Sequence, residues 1–88
     1  MKKVRLFGSS NCQNCIEAIV FLKKAKIDFS YIDAFDEDEK IQKLCDIYNV
    51  DDLPHIQFFD NKGEILYEHK GEIDSDKFLK YMIDYYSL

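Results

Sequence analysis

The segment Val4-Arg5-Leu6-Phe7-Gly8-Ser9-Ser10-Asn11-Cys12-Gln13-Asn14-Cys15-Ile16 passes from an apolar run through a polar loop to a pair of cysteines. Val4 to Phe7, interrupted only by Arg5, is long enough for a strand and too short for a helix. Gly8 to Asn11 reads as a loop whose polar side chains accept the first free amides of a helix. Beyond it, Ile16, Ile19, Val20 and Lys23 fall on one helical stripe, with Ala18, Leu22 and Ala25 beside it. That wide apolar face is expected of a helix lying on a sheet and ending near Ala25-Lys26. Cys12 then stands where the helix begins and Cys15 in its first turn. Unpaired amides and the positive end of the helix dipole favour a thiolate there, and the thiolate is the attacking species in disulfide exchange. Two intervening residues let the second sulfur reach the first, so Cys15 can resolve a mixed disulfide formed at Cys12.

Downstream, Phe29 to Asp33 alternates as a strand does. The acidic run Asp36-Glu37-Asp38-Glu39 precedes Ile41, Leu44, Cys45 and Tyr48, a helix with carboxylates in its solvated first turn. Val50-Asp51-Asp52-Leu53-Pro54 breaks it, since Pro54 cannot sit in a central strand. His55 to Asp60 and Glu64 to Glu68 flank Asn61-Lys62-Gly63 as a hairpin. Gly71 ends the hairpin, and Asp74-Ser75-Asp76 caps a last helix carrying Phe78, Leu79, Met82, Ile83 and Tyr86 on one face. The order is β-α-β-α-β-β-α. A right-handed crossover joins two parallel strands and the hairpin adds an antiparallel edge. The expected class is α/β, a four-stranded mixed sheet in a three-layer α/β/α sandwich.

Eighty-eight residues predict a single domain, 1–88. With 47% hydrophobic and 15% aromatic residues the chain is globular rather than intrinsically disordered. No apolar run approaches the roughly 20 residues of a membrane helix, and the basic start lacks the apolar stretch of a signal peptide. A net charge of −5 disfavours nucleic acid. Three cysteines are too few for a secreted disulfide scaffold. A cytoplasmic chain is therefore expected, with redox or metal chemistry at the pair.

Over nearly its whole length the chain resembles the thioredoxin and glutaredoxin superfamily. Lys3 to Asp33, with Cys12-Gln13-Asn14-Cys15 after the first strand, looks like a glutaredoxin. Tyr48 to Tyr85 looks more like the end of a thioredoxin, with Tyr48, Val50, Pro54, Phe58, Phe59, Gly63 and Gly71 matching in order. The resemblance implies thiol-disulfide exchange at Cys12 and Cys15, with no cofactor beyond their redox-active disulfide. It makes Pro54 the family's cis-proline, facing the dithiol across a substrate groove, and gives Leu53 a backbone that contacts an extended substrate. Gly71 and Asp74 match further substrate-binding positions. The implied partners are disulfide-bearing proteins and an electron-donating reductase or glutathione, with no nucleic acid and no membrane, and a monomer is expected.

Six positions depart from the pattern. Gln13-Asn14 replaces the Gly-Pro of thioredoxins and the Pro-Tyr of glutaredoxins, and Asn11 stands where a Trp precedes the first cysteine. Leu6 occupies the place of a buried Asp found in many thioredoxins. Ser9 replaces the Lys of many glutaredoxins, and Glu72 replaces the second Gly of their Gly-Gly-x-Asp segment. An acid gained and a cation lost weaken binding of glutathione, which carries two carboxylates. Protein dithiols are therefore favoured over glutathione. The alternative is a binding module of the same fold that holds a metal through Cys12 and Cys15, with His55 as a further ligand. Structural zinc wants four ligands, and a dimer could supply the missing ones. Cys45 reads as an inert buried thiol, His55 as a strand histidine with a structural partner, and His69 as a surface residue.

Overall fold

The computed structural model describes residues 3–73 and residue 77. The last helix of the sequence reading and Asp74 lie outside these residues. Among the described residues the chain runs β1 (Lys3–Gly8), α1 (Gln13–Lys24), β2 (Ser30–Asp33), α2 (Glu39–Ile47), β3 (His55–Phe59) and β4 (Ile65–Lys70). The four strands form one mixed sheet in the order β2-β1-β3-β4. β1 is parallel to β2 and antiparallel to β3, and β3 is antiparallel to β4. The α/β class and mixed sheet expected from the sequence are therefore present.

The register sorts the side chains of the central strands between two faces. Val4 lies opposite Phe58 and Leu6 opposite Ile56, and these four pack with Ala18, Leu22 and Ile27 into the hydrophobic core. Burying a side chain such as Leu22 or Phe58 stabilises the fold by about 1.5–3 kcal/mol. On the other face Arg5 lies opposite Gln57 and Phe7 opposite His55, because successive residues of a strand point to opposite sides. Tyr48, which caps the C-terminus of α2, places its ring 5.1 Å from the Arg5 guanidinium. The two helices thus serve opposite faces.

The inward face of α1 differs from the expected stripe. Cys15, Ala18 and Leu22 are buried, whereas Ile16 and Val20 are each 45% exposed. The polar residues Gln13, Glu17 and Lys24 fall on one side of this helix, and the buried residues lie opposite them. In the second helix the acidic run is also placed differently. Asp36 Oδ1 accepts from Asp38 N–H at 2.9 Å, and Asp38 Oδ1 accepts from Lys40 N–H at 2.8 Å. Asp38 is the N-cap, so most of the run forms the entry turn and cap, and only Glu39 is in the first helical turn.

The hairpin follows the sequence reading. Asp60 Oδ1 accepts from the N–H groups of Lys62 and Glu64, at 2.8 and 2.9 Å, and Gly63 takes the positive φ of 84° that its lack of Cβ permits.

Candidate active site

Cys12 is the N-cap of α1, with extended backbone at φ −102° and ψ 108°. Its sulfur accepts from Cys15 N–H at 3.1 Å, and its carbonyl accepts from Ile16 N–H at 3.1 Å. The sequence assigned this capping role to the polar loop. In the structure the cysteine sulfur performs it, and Ser9 Oγ instead accepts from Asn11 N–H at 3.4 Å. No acidic residue lies in the first turn of α1, and Lys23 and Lys24 occupy its last turn. Nothing in that first turn offsets the positive end of the dipole at Cys12.

A disulfide joins Cys12 and Cys15, whose Cα atoms are 5.1 Å apart, within the span that such bonds allow. The two sulfurs differ in access. Cys15 is fully buried, whereas Cys12 is half-buried and lines a cavity of about 560 Å³ with Ser9, Ser10, Asn11, Asp33, Phe35 and Leu53. Among the described residues the only carboxylate in that lining is Asp33, and none of them there is a lysine or arginine.

The Leu53–Pro54 peptide is cis, and Pro54 is buried. Phe7 and His55 are cross-strand partners, so the chain leaving β1 toward Cys12 and the chain entering β3 from Pro54 share one end of the sheet. Leu53 thereby reaches the cavity that holds Cys12. Gly71 anchors the loop from behind. Its N–H donates to the Pro54 carbonyl at 2.9 Å, it has φ 82°, and a Cβ added there would lie 2.8 Å from Asp52 Oδ2. The structure therefore brings Cys12, bonded to Cys15, and Leu53 to one cavity, with Pro54 next to Leu53 in the chain and Gly71 bonded to the Pro54 carbonyl. Phe35 and Asp33, which the sequence reading did not single out as site residues, line the same cavity. Their signal was an aromatic residue inside a polar, acidic connection.

His55 is fully buried. Its Nε2 pairs with Glu68 Oε2, and its ring lies 5.6 Å from that of Phe7. This agrees with the structural-partner reading of the residue. Gln57 Nε2 donates to the same carboxylate at 3.3 Å, and Arg5 Nε donates to Gln57 Oε1 at 2.9 Å. Burial alone would push the Glu68 carboxyl up. The hydrogen bonds from His55 and Gln57 and the nearby Lys70 charge outweigh burial and hold it below its ordinary range. No group of three or more His, Cys, Asp or Glu side chains among the described residues is placed to hold a metal.

Leu6 is fully buried in the apolar core. Cys45 is half-buried and not disulfide-bonded. Burial, with Asp46 beside it, pushes its thiol pKa up, which suits an inert thiol. His69 is not simply a surface residue: half-buried, it donates from Nε2 toward the carbonyls of Glu72 and Gly71, at 3.0 and 3.2 Å.

No protein-family model matches the sequence, and no curated protein matches it. Solved structures do. Thioredoxin O2 from Arabidopsis thaliana, in its oxidized state, superposes with a TM-score of 0.75 at 19% identity, over 96% of this chain and 74% of that one. A thioredoxin-fold protein from Helicobacter pylori gives 0.74 at 22% identity, over 91% and 65%. Plasmodium falciparum thioredoxin gives 0.73 at 23% identity, over 96% and 70%. The chain has the thioredoxin fold and carries a disulfide at the start of its first helix.

Proposed function

We propose that the protein is a thiol-disulfide oxidoreductase acting on protein disulfides. In the reduced state the Cys12 thiolate attacks one sulfur of a target disulfide and displaces the other as a thiolate, which takes up a proton. Cys15 then loses its proton, attacks the Cys12 sulfur, and releases the second target thiol. The target gains two electrons and two protons, and the protein is left with its Cys12–Cys15 disulfide. A two-electron donor, a reductase or a low-molecular-weight thiol, restores the dithiol.

The observation that carries this reading is the unequal access of the two sulfurs across one helix turn. Cys12 faces the cavity, while Cys15 is buried behind it. Leu53 on the cavity wall supports a role for its backbone beside an extended substrate, and the cis Pro54 supports a role in setting that wall. Gly71 acts here as the loop's anchor, and Asp74 keeps its proposed place in substrate binding from the family resemblance alone.

Protein targets fit the lining better than glutathione does. Among the described residues its only charged side chain is the Asp33 carboxylate, and Asp52 stands against Gly71, so the two carboxylates of glutathione meet like charge. A cytoplasmic setting, where thiol reductants are abundant, suits such a protein. The test is reduction of insulin with a chemical reductant as donor. Cys12→Ser abolishes turnover, and Cys15→Ser accumulates a mixed disulfide visible by mass. Undiminished turnover in the Cys12→Ser variant would overturn the proposal.

A further inference from the structure

The cavity beside Cys12 does not end at Leu53. Phe35 and Leu53 also belong to a second cavity of about 680 Å³ that continues along α2, where Asp36, Glu37, Asp46 and Asp51 line it. Among the described residues neither cavity has a lysine or arginine in its lining. Asp51 is partly neutralised, its Oδ1 lying 3.4 Å from Lys70 Nζ. At the junction Phe35 is 72% exposed. Its segment is nevertheless fixed: Phe35 N–H donates to Asp33 Oδ1 at 2.9 Å, and Gln42 Nε2 donates to Ala34 O and Asp36 O at 3.3 and 2.6 Å.

An aromatic ring exposed to water on a fixed backbone, with carboxylates around it, is a seat for a guanidinium. That group stacks on a ring face and pairs with carboxylates at its edge. The carboxylates do not converge as a metal site among the described residues, so they match charges spread along a chain rather than one ion. The groove also begins at Cys12, which ties its occupant to the exchange reaction.

We propose that this groove selects the substrates of the exchange reaction. It takes proteins whose disulfide is flanked by an extended segment carrying arginine or lysine, with one cationic side chain seated on Phe35. The proposal rests on the exchange reading above and names the substrate class of the same site.

Two disulfide peptides, identical except for two arginines or two glutamates on one flank, test it against the reduced full-length chain. The arginine peptide reacts at least ~10-fold faster at low ionic strength, and the preference shrinks with added salt. Asp36→Asn/Asp46→Asn brings the ratio to within ~2-fold, and Phe35→Ala slows only the arginine peptide. The control Asp28→Asn/Glu64→Gln removes the same net charge away from the groove and keeps the preference. Serine-substituted versions of both peptides, titrated onto the oxidised protein, read the groove without any exchange. Preferred binding of the arginine version with no exchange of either disulfide would end the redox reading and leave the groove standing. Equal rates and equal binding for the two peptides, or loss of preference in the control variant, would overturn the groove.

Discussion

The backbone N–H of Cys15 donates to the sulfur of Cys12 across 3.1 Å, so the half-buried cysteine of the pair also caps the helix that it heads. One atom therefore serves both the proposed chemistry and the start of a structural element.

That double role separates two substitutions that both remove the thiol. In reductant, Cys12→Ser keeps an acceptor for the helix amide and Cys12→Ala does not. The alanine variant should be less stable by ~1 kcal/mol, the usual worth of an N-cap. Urea unfolding midpoints of the two variants provide the comparison, and coincident midpoints would show that the cap contributes nothing.

The inward face of α1 is tested by two residues that look equivalent in sequence. Leu22 is fully buried and Val20 is 45% exposed. Leu22→Ala should cost about 2–5 kcal/mol, and Val20→Ala should stay within ~0.5 kcal/mol of the parent protein. If Val20→Ala proved the costlier change, the helix would face the sheet through its Ile16 and Val20 side.

Gly71 combines a left-handed backbone, φ 82°, with a close approach to the Asp52 carboxylate. Gly71→Ala should destabilise by roughly 1–2 kcal/mol. Adding Asp52→Ala should recover the steric part and leave the backbone part. Denaturant unfolding of the single and double variants separates the two contributions, and a Gly71→Ala protein as stable as the parent would refute both.

Glu68 gives the pH dependence its sign. Its carboxyl is held below the ordinary range in the folded state, so its stabilising contribution is full above the unfolded value of ~4.3. The contribution is lost as pH falls through the lower folded value. The stability difference between the parent protein and Glu68→Gln should therefore be constant near neutrality and narrow in acid. Thermal unfolding between pH 7 and pH 3 measures it. A difference that widened in acid would reverse the sign of the argument.

Elements with a strong local signature were legible in the sequence. The alternation of Val4 and Leu6, the Asn61-Lys62-Gly63 turn and the break at Pro54 each have one physical reading, and the sheet follows from their order. The cysteine pair was legible because its spacing and its place after a strand are local facts. Two features were not. The buried side of α1 lies opposite the polar residues Gln13, Glu17 and Lys24, a stripe that apolar spacing counted from Ile16 and Val20 does not register. Phe35 was overlooked because its importance arises where two cavities meet, a relation between segments distant in the chain. The arrangement of Arg5, Gln57, Glu68 and His55 is likewise a product of register, since each residue alone reads as an ordinary polar strand position.

The rung pairing Phe7 with His55 has a consequence for fragments of this chain. Both cysteines lie before the end of α1, and an N-terminal piece could oxidise them, yet it would lack the wall that Leu53 supplies. That wall arrives only when β3 docks beside β1. A slip of one position would turn the side chains of β3 to the opposite face and carry Leu53 away from Cys12. A peptide bearing the cysteine pair should thus be a plain dithiol, and selectivity among targets should appear together with the long-range strand pairing.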